Sequence, residues 1–336
     1  MRLAAVELGG TSIRVAIAEG NSINIVARES FPCDAPEVTL GKVRAWLAVH
    51  PFDALGVASF GPIEVRKSQP KYGFITTTPK HGWVDVDVLG GIGARALNVP
   101  VAFDTDVNAP AVSEYRAAAA TDPTLTSCAY ITIGTGVGVG LVVNGLPVHG
   151  MLHPEGGHCL VPNAPGDSWQ CPLDLRIPSG VEARVSAPAL ASRAGVSQSE
   201  LGGVPDSDPM WDFTAHYIAT LCANLALLVS VERIVLGGGV MARESLYPKV
   251  RARCRQLLNG YLQCEQLLPQ NIDSYIVPPA HRKDAGLIGA LTLARDALLA
   301  SRAEKARARG AITSAASCAA LVSASLLAAV LLGRRF

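Results

Sequence analysis

Thr132-Ile133-Gly134-Thr135-Gly136-Val137-Gly138-Val139-Gly140 follows the apolar run Cys128-Ala129-Tyr130-Ile131 and leads into Leu141-Val142-Val143-Asn144-Gly145. Two apolar runs joined through glycines and closed by an Asn-Gly turn are a hairpin pattern. The two common nucleotide loops are excluded by their own spacing. A dinucleotide fingerprint needs G-x-G-x-x-G between a strand and a helix, with an acid about twenty residues on, and a Walker A loop needs Gly-Lys-Ser/Thr. Here the glycines alternate, a strand comes after them, and the stretch holds no lysine. What remains is either a glycine-rich hairpin without a ligand or a turn whose amides approach a phosphate closely, since no Cβ stands in the way.

The same device occurs twice. Residues 5–20, AVELGGTSIRVAIAEG, lie over residues 130–145, YITIGTGVGVGLVVNG, as strand, glycine turn, strand and closing turn. Between the copies, APEVTLGKVRAWLAVH (35–50) reads as a helix and ALGVASFG (54–61) as a buried strand. VPVAFDTD (99–106) reads as a strand entering the helix VNAPAVSEYRAAAA (107–120), with Pro110 near its start. A turn-rich region, 146–180, separates the second copy from a helix at 208–230 and the strand RIVLGGGV at 233–240. Alternating strands and helices give an α/β class. The expectation is two hairpin-headed mixed sheets, in lobes spanning 1–120 and 121–300, that face each other across a cleft.

The totals narrow the field. Lys and Arg number 29 against 28 Asp and Glu, and no basic block interleaved with aromatics appears, which argues against a nucleic-acid partner. Eight cysteines are scattered without a C-x-x-C pair and no secretory signal precedes the first strand, so a reducing cytoplasmic compartment is expected for the catalytic body. Residues 311–333, AITSAASCAALVSASLLAAVLLG, carry no charge or proline and are flanked by basic residues. As a helix they would span roughly 30 Å of hydrocarbon, so they are expected to form a C-terminal transmembrane tail; the alternative is an Ala-rich helix docked on the body.

The motifs together resemble the actin-like sugar-kinase superfamily, and within it the ROK family. ELGGT (7–11) resembles the first phosphate motif of that family and TIGTGVGVG the second, while LGGGV (236–240) and DAGLIGAL (284–291) resemble its adenosine-binding part. ASFGPIE (58–64), YGFITTTPKHGW (72–83), FDTDVNAPAVSE (103–114) and HPEGGHCLVP (153–162) are most similar to its fructokinase branch. The resemblance implies ATP and Mg²⁺ as cofactors, a hexose as substrate, a two-lobed ribonuclease H-like fold and a homodimer. It implies phosphate contacts at Gly9, Gly10, Thr11, Thr132, Gly134, Thr135, Gly136 and Gly138. Adenosine contacts fall at Gly237, Gly238, Gly239 and Gly286, and sugar contacts at Gly61, Pro62, Asp106, Glu155, His158 and Glu182.

Asp106 is the candidate general base. It stands where a strand ends and a helix begins, the edge at which α/β sheets present ligands, and the resemblance assigns it the same role; the alternative is a helix-capping aspartate. Asp104 is open to a structural role, and Asn108 either meets ligand or begins the helix. Glu7 keeps a carboxylate able to hold Mg²⁺ together with Asp106 and the phosphates, and Ser12 stands where relatives commonly have lysine. Lys80 and Trp83 lie in a loop that either reaches the site or is structural. HPEGGH is not a helical zinc-protease motif, because Pro154 and the Gly156-Gly157 pair break the helix. The resemblance implies a structural zinc on this loop, yet only His158 and Cys171 match. Gly180 replaces the last ligand, with Cys159 and Asp174 as candidate substitutes, so zinc is not expected and packing is expected to hold the loop. Fructose is the expected sugar. Glucokinase or N-acetylhexosamine kinase activity, or a membrane-tethered sugar-binding protein without catalysis, are the alternatives.

Overall fold

The computed structural model describes residues 1–20, 23–173, 175 and 177–308. The candidate tail, 311–333, lies outside the described residues, and among the described residues no helix is long and apolar enough to cross a membrane. The chain is α/β, built on two five-stranded mixed sheets of the same design. In the first, β1 (Arg2–Leu8) pairs antiparallel with β2 (Ser12–Glu19), which pairs antiparallel with β3 (Asn24–Pro32). On its other side β1 runs parallel to β4 (Ala54–Ser59); β5 (Phe74–Ile75) and β6 (Val86–Asp87) form a small separate ribbon, and β7 (Val101–Thr105) closes the sheet parallel to β4. The second sheet repeats the scheme. β8 (Cys128–Ile133) pairs antiparallel with β9 (Val137–Val143), which carries β10 (Leu146–Pro147), and β8 runs parallel to β11 (Ile234–Gly237), which in turn pairs with β12 (Ile276–Val277). The sequence duplication is therefore a duplication of sheet topology.

The apolar central strands are buried on both faces, and each face meets a different core. Ala4, Val6 and Leu8 of β1 join a cluster containing Leu40, Val43, Ile75 and Trp83, so this face lies under the helix Pro36–Ala48 and the 75–92 segment. Leu3 and Ala5 turn the other way, onto Leu287, Ala290, Leu291 and Ala294 of the helix at 285–308. In the second sheet, Ala129, Ile131 and Ile133 face the helix Met210–Leu228, while Cys128 and Tyr130 share a cluster with Ala111 and Val112 of the helix Asn108–Ala119.

The two sheets have thus exchanged helices. The helix that leaves β7 of the first sheet packs on β8 and β9 of the second, and the helix that leaves the second sheet returns to the first. Glycines make the crossing close. A Cβ at Gly289 would overlap the backbone between Ala109 and Pro110, one at Gly56 would overlap the carbonyl of Ala290, and one at Gly140 would overlap the carbonyl of Val107. Arg116 and Asp296 join the two crossed helices through a two-pronged ion pair, with Nη2 to Oδ2 at 2.6 Å. Gly138 also faces Val107, whose Cγ1 is 2.7 Å from where a Cβ would stand. The alternating glycines of TIGTGVGVG therefore serve two ends: those at 134 and 136 shape the turn, and those at 138 and 140 let β9 lie on the Val107-Asn108 backbone.

Gly140→Ala forces that backbone contact apart, and overpacking of this kind costs about 1–3 kcal/mol. Gly10→Ala, where an added Cβ meets nothing within 4 Å, is expected to leave the urea midpoint nearly unchanged. Equal midpoints for the two variants would contradict this account of β9.

Candidate active site

The two glycine turns, which lie in different sheets, meet. The first is a tight hairpin in which the Gly9 amide donates to the Ser12 carbonyl at 3.0 Å, with Gly10 and Thr11 at the tip. The second closes through Gly134 N to Gly136 O at 2.9 Å. The Thr11 and Thr135 hydroxyls are 3.3 Å apart. Two supports fix the second turn: Ala187 N donates to the Gly134 carbonyl at 2.7 Å, and Val137 N donates to Glu182 Oε2 at 2.8 Å. Glu182 thus braces the phosphate-type turn with its carboxylate, and a Cβ at Gly136 would stand 2.7 Å from it. Thr132 lies on β8 between Gly138 of β9 and Gly237 of β11. Beside the turn, Gly238 has φ +90° and sits against Ile133, Gly239 is open, and Gly237 lies against the Tyr130 ring. Gly286 is placed elsewhere, directly beneath the Glu7 carboxylate.

Asp106 lies one residue past β7, its amide bonded to the Ser59 carbonyl at 2.9 Å. It is partly buried and has no ion-pair partner among the described residues. Burial first, and then the negative charges of Glu7 and Glu155, push its pKa up to about 7. Neighbouring polar groups are fully committed instead. Asp104 accepts from Thr105 N at 2.7 Å, from Asn108 Nδ2 at 3.1 Å and meets His149 Nε2 at 2.9 Å. Asn108, fully buried, accepts at its Oδ1 from the Leu141 amide at 3.2 Å. This network ties the end of β7 to β9 and gives Asp104 and Asn108 structural work beside the free carboxylate of Asp106.

Glu7 points into the same region from β1. Its register partner across the hairpin is Arg14, whose Nη2 lies 2.7 and 2.6 Å from the two carboxylate oxygens. Burial nonetheless holds the Glu7 pKa above the ordinary carboxylate range, with the Arg14 guanidinium pulling against it. Arg14 also donates to the Lys283 carbonyl at 2.8 Å.

The HPEGGH segment reaches this cleft because its glycines lie flat on β9: a Cβ at Gly157 would overlap the Val137 carbonyl, and one at Gly156 would stand 2.6 Å from a Val139 methyl. Glu155 Oε1 is 3.5 Å from His153 Nδ1 and Glu155 Oε2 is 3.9 Å from His158 Nε2. Burial raises the Glu155 pKa, with His158 opposing and Glu182 adding to it. His153 Nε2 accepts from the Ile63 amide at 3.0 Å, which requires a neutral ring; burial keeps its pKa low. That bond fastens the Gly61-Pro62 segment to the HPEGGH loop, and a Cβ at Gly61 would press on the ring at 3.2 Å. Glu7 and Glu155 are thus close enough to Asp106 to raise its pKa.

The ROK family model matches residues 3–297. The chain belongs to the ROK family. The fructokinase of Pediococcus pentosaceus is 38% identical over 301 residues, covering 89% of this chain and 99% of the relative. A putative fructokinase of Bacillus subtilis (strain 168) is 36% identical over 303 residues, covering 90% and 98%. Among solved structures, a ROK family glucokinase from Streptomyces griseus in complex with glucose and AMPPNP matches with a TM-score of 0.67 at 22% identity, covering 88% of this chain and 100% of that one. That likeness is one of fold.

The 146–180 region is tied down by side-chain bonds to the helices that come after it. Among the described residues no group of three His, Cys, Asp or Glu is placed to hold a metal. Gly180 does lie against the His158 backbone, where an added Cβ would stand 3.2 Å from the His158 Cα, but has no side chain to offer; Cys171 and Cys159 carry free thiols, and Asp174 lies outside the described residues. The anchor is Asp167. Its side chain, 1% exposed, accepts from both Arg193 guanidinium nitrogens at 2.9 and 2.7 Å, from the Tyr217 hydroxyl at 2.7 Å and from Trp169 N at 3.1 Å. Burial pushes its pKa up, but these bonds outweigh burial and hold it below the usual carboxylate range. Arg184 adds bonds to Trp169 O at 2.6 Å and Asn163 Oδ1 at 2.7 Å.

Arg14, His153 and Asp167 are functional or anchoring residues that the motifs did not single out. A two-residue turn at Gly10-Thr11 already places position 7 opposite position 14, and His153 opens the very motif that supplied Glu155 and His158. Asp167 and Arg193 gave no local signal, being 26 residues apart. Asp167→Ala leaves the Arg193 charge buried alone, and breaking a buried pair costs about 3–5 kcal/mol. The expected outcome is a matching fall in urea stability with faster proteolysis inside 146–180; unchanged stability would show that the loop is held by other means.

Proposed function

We propose that this chain transfers the terminal phosphoryl group of ATP to a hexose hydroxyl, with D-fructose giving fructose 6-phosphate, and that the lobes at 1–120 and 121–300 flank the reacting groups. The observation that carries the reading is Asp106, a carboxylate without a counter-ion among the described residues and with a pKa near 7, beside two convergent glycine turns. The names of the fructokinase relatives, which match over about nine-tenths of the chain, support fructose as the sugar.

In this reading the amides and hydroxyls of Gly9 to Thr11 and Thr132 to Gly136 receive the phosphates, and Gly237 to Gly239 line the adenosine side. Glu155, His158 and the Gly61-Pro62 segment hold sugar hydroxyls; a carboxylate and an imidazole together accept and donate hydrogen bonds, as a polyol requires. Asp106 takes the proton from the attacking hydroxyl as the new oxygen–phosphorus bond forms and the bond to the bridging oxygen breaks, so ADP leaves with that electron pair. Glu182 acts through the second turn by bracing Val137. The donor set suits a hard divalent cation: Asp106 and Glu7 are oxygen donors whose mutual repulsion raises the pKa of Asp106, although Arg14 already faces Glu7. Mg²⁺, when bound there, neutralises charge on the transferring phosphoryl group.

The apolar segment at 311–333 lies past residue 297, where the family match ends. We propose that it tethers the catalytic body to a membrane. Retention of full-length protein in membranes through an alkaline carbonate wash is the expected result, and its release would refute the tether.

With fructose and Mg-ATP, the chain without residues 309–336 should release ADP. Asp106→Asn should lower kcat/KM about a hundred- to ten-thousandfold, the range for loss of a general base. The wild-type kcat/KM should rise with pH through about 7, as Asp106 ionises. The stability effect has the opposite sense. A carboxylate whose pKa is raised on folding stabilises the fold below its unfolded pKa and loses that contribution as pH rises through the folded value. Asp106→Asn should therefore raise the melting temperature at pH 8, with the gain fading towards pH 4. Near-normal activity in Asp106→Asn would overturn the mechanism.

A further inference from the structure

The first glycine turn carries no cation of its own: Ser12 comes directly after its tip, and Arg14 is committed to Glu7 and the Lys283 carbonyl. A cation reaches it from another part of the chain. Lys80, between β5 and β6, extends to the turn and donates from Nζ to the Gly10 carbonyl at 2.6 Å. The Cys33 thiol stands beside the same ammonium, and the Cys33 amide donates to the Thr11 carbonyl at 3.0 Å, so this side of the turn is built from residues 33 and 80 together.

The placement of Lys80 is fixed by its loop. Trp83, 1% exposed, is buried edge-on against Phe60 with ring centroids 5.3 Å apart, and its indole N–H donates to the Asp34 carbonyl at 3.1 Å. Lys80 N donates to Thr78 Oγ1 at 3.3 Å, and Trp83 N donates to the Lys80 carbonyl at 3.2 Å. Lys80 forms no ion pair among the described residues; its hydrogen-bond partners there are the neutral Gly10 carbonyl and the Cys33 thiol. An ammonium has three N–H groups, so its charge and a further donor remain available at the tip of a turn where Gly10 leaves open space.

We propose that Lys80 is a ligand of the nucleotide's terminal phosphates, supplying from the 76–85 loop the positive charge that the first turn lacks. The assignment rests on the reading of the two turns as phosphate sites. It gives the loop a role in substrate binding and makes the first phosphate site a composite of three segments: residues 9–11, residue 33 and residue 80.

Binding of Mg-ADP and of adenosine to the protein, measured by calorimetry without sugar, separates the possibilities. Lys80→Met should weaken Mg-ADP about tenfold or more, as loss of one charge-assisted hydrogen bond predicts. Adenosine, which has no phosphate, should bind as before, and Lys80→Arg should recover most of the Mg-ADP affinity. Unchanged Mg-ADP affinity in Lys80→Met would overturn the assignment. So would a parallel loss of adenosine binding, since Lys80 would then be holding the shape of the site. If the wild-type protein binds adenosine and Mg-ADP equally, the phosphate reading of the turns fails as well; if it discriminates between them and only Lys80→Met is silent, that reading survives without Lys80.

Discussion

The approach of β9 to the backbone at Val107-Asn108 is the constraint on which the rest depends. Gly140 allows it, because any side chain there would occupy the position of the Val107 carbonyl. Asp106 immediately precedes this contact, so the residue that ends the first sheet is pinned to a strand of the second. Asn108, bonded to Asp104 on one side and to the Leu141 amide on the other, adds a polar stitch at the same point. Interiors packed at crystal-like density transmit such a contact with little slack. The carboxylate therefore has a defined position relative to both glycine turns, although they lie in different sheets.

Helix exchange extends this constraint over the molecule. The helix Asn108–Ala119 starts in the first sheet and packs on the second, and the helix at 285–308 does the reverse, with Gly289 against Ala109 where they cross. Each sheet thus packs on a helix that leaves the other, so parting the two sheets would expose both helix faces. The Arg116 to Asp296 pair, farther along the same two helices, is partly exposed, so it adds geometry more than energy.

Much of this was legible in the sequence, and the boundary of what was legible has physical causes. The duplicated hairpin was readable because strand pairing and turn chemistry are local, and the two sheets share one order of strands. The purpose of Gly138 and Gly140 was not, because a glycine that admits a phosphate and one that admits a neighbouring backbone look alike in sequence. Gly286 raised the same ambiguity, and it lies beneath Glu7. The bond from the Val137 amide to Glu182 was not readable either, since the turn-rich 146–180 segment hides the register of the residues on its C-terminal side. The anchor of the 146–180 region was not legible, because Asp167, Arg193 and Tyr217 meet only after the helices Ala187–Ala194 and Met210–Leu228 have packed.

The close meeting of the two turns bears on how the site works. With the Thr11 and Thr135 hydroxyls 3.3 Å apart, no phosphate fits between them. On the proposed reading of the turns as phosphate sites, phosphates lie along the amide faces to one side. The negative charges of Glu7 and Glu155 raise the pKa of the partly buried Asp106. Cations near those carboxylates, whether Arg14 or an incoming metal, offset that charge. The same electrostatics that bring the Asp106 pKa to about 7 therefore favour positive charge beside it, which suits the proposed binding of a metal–nucleotide complex.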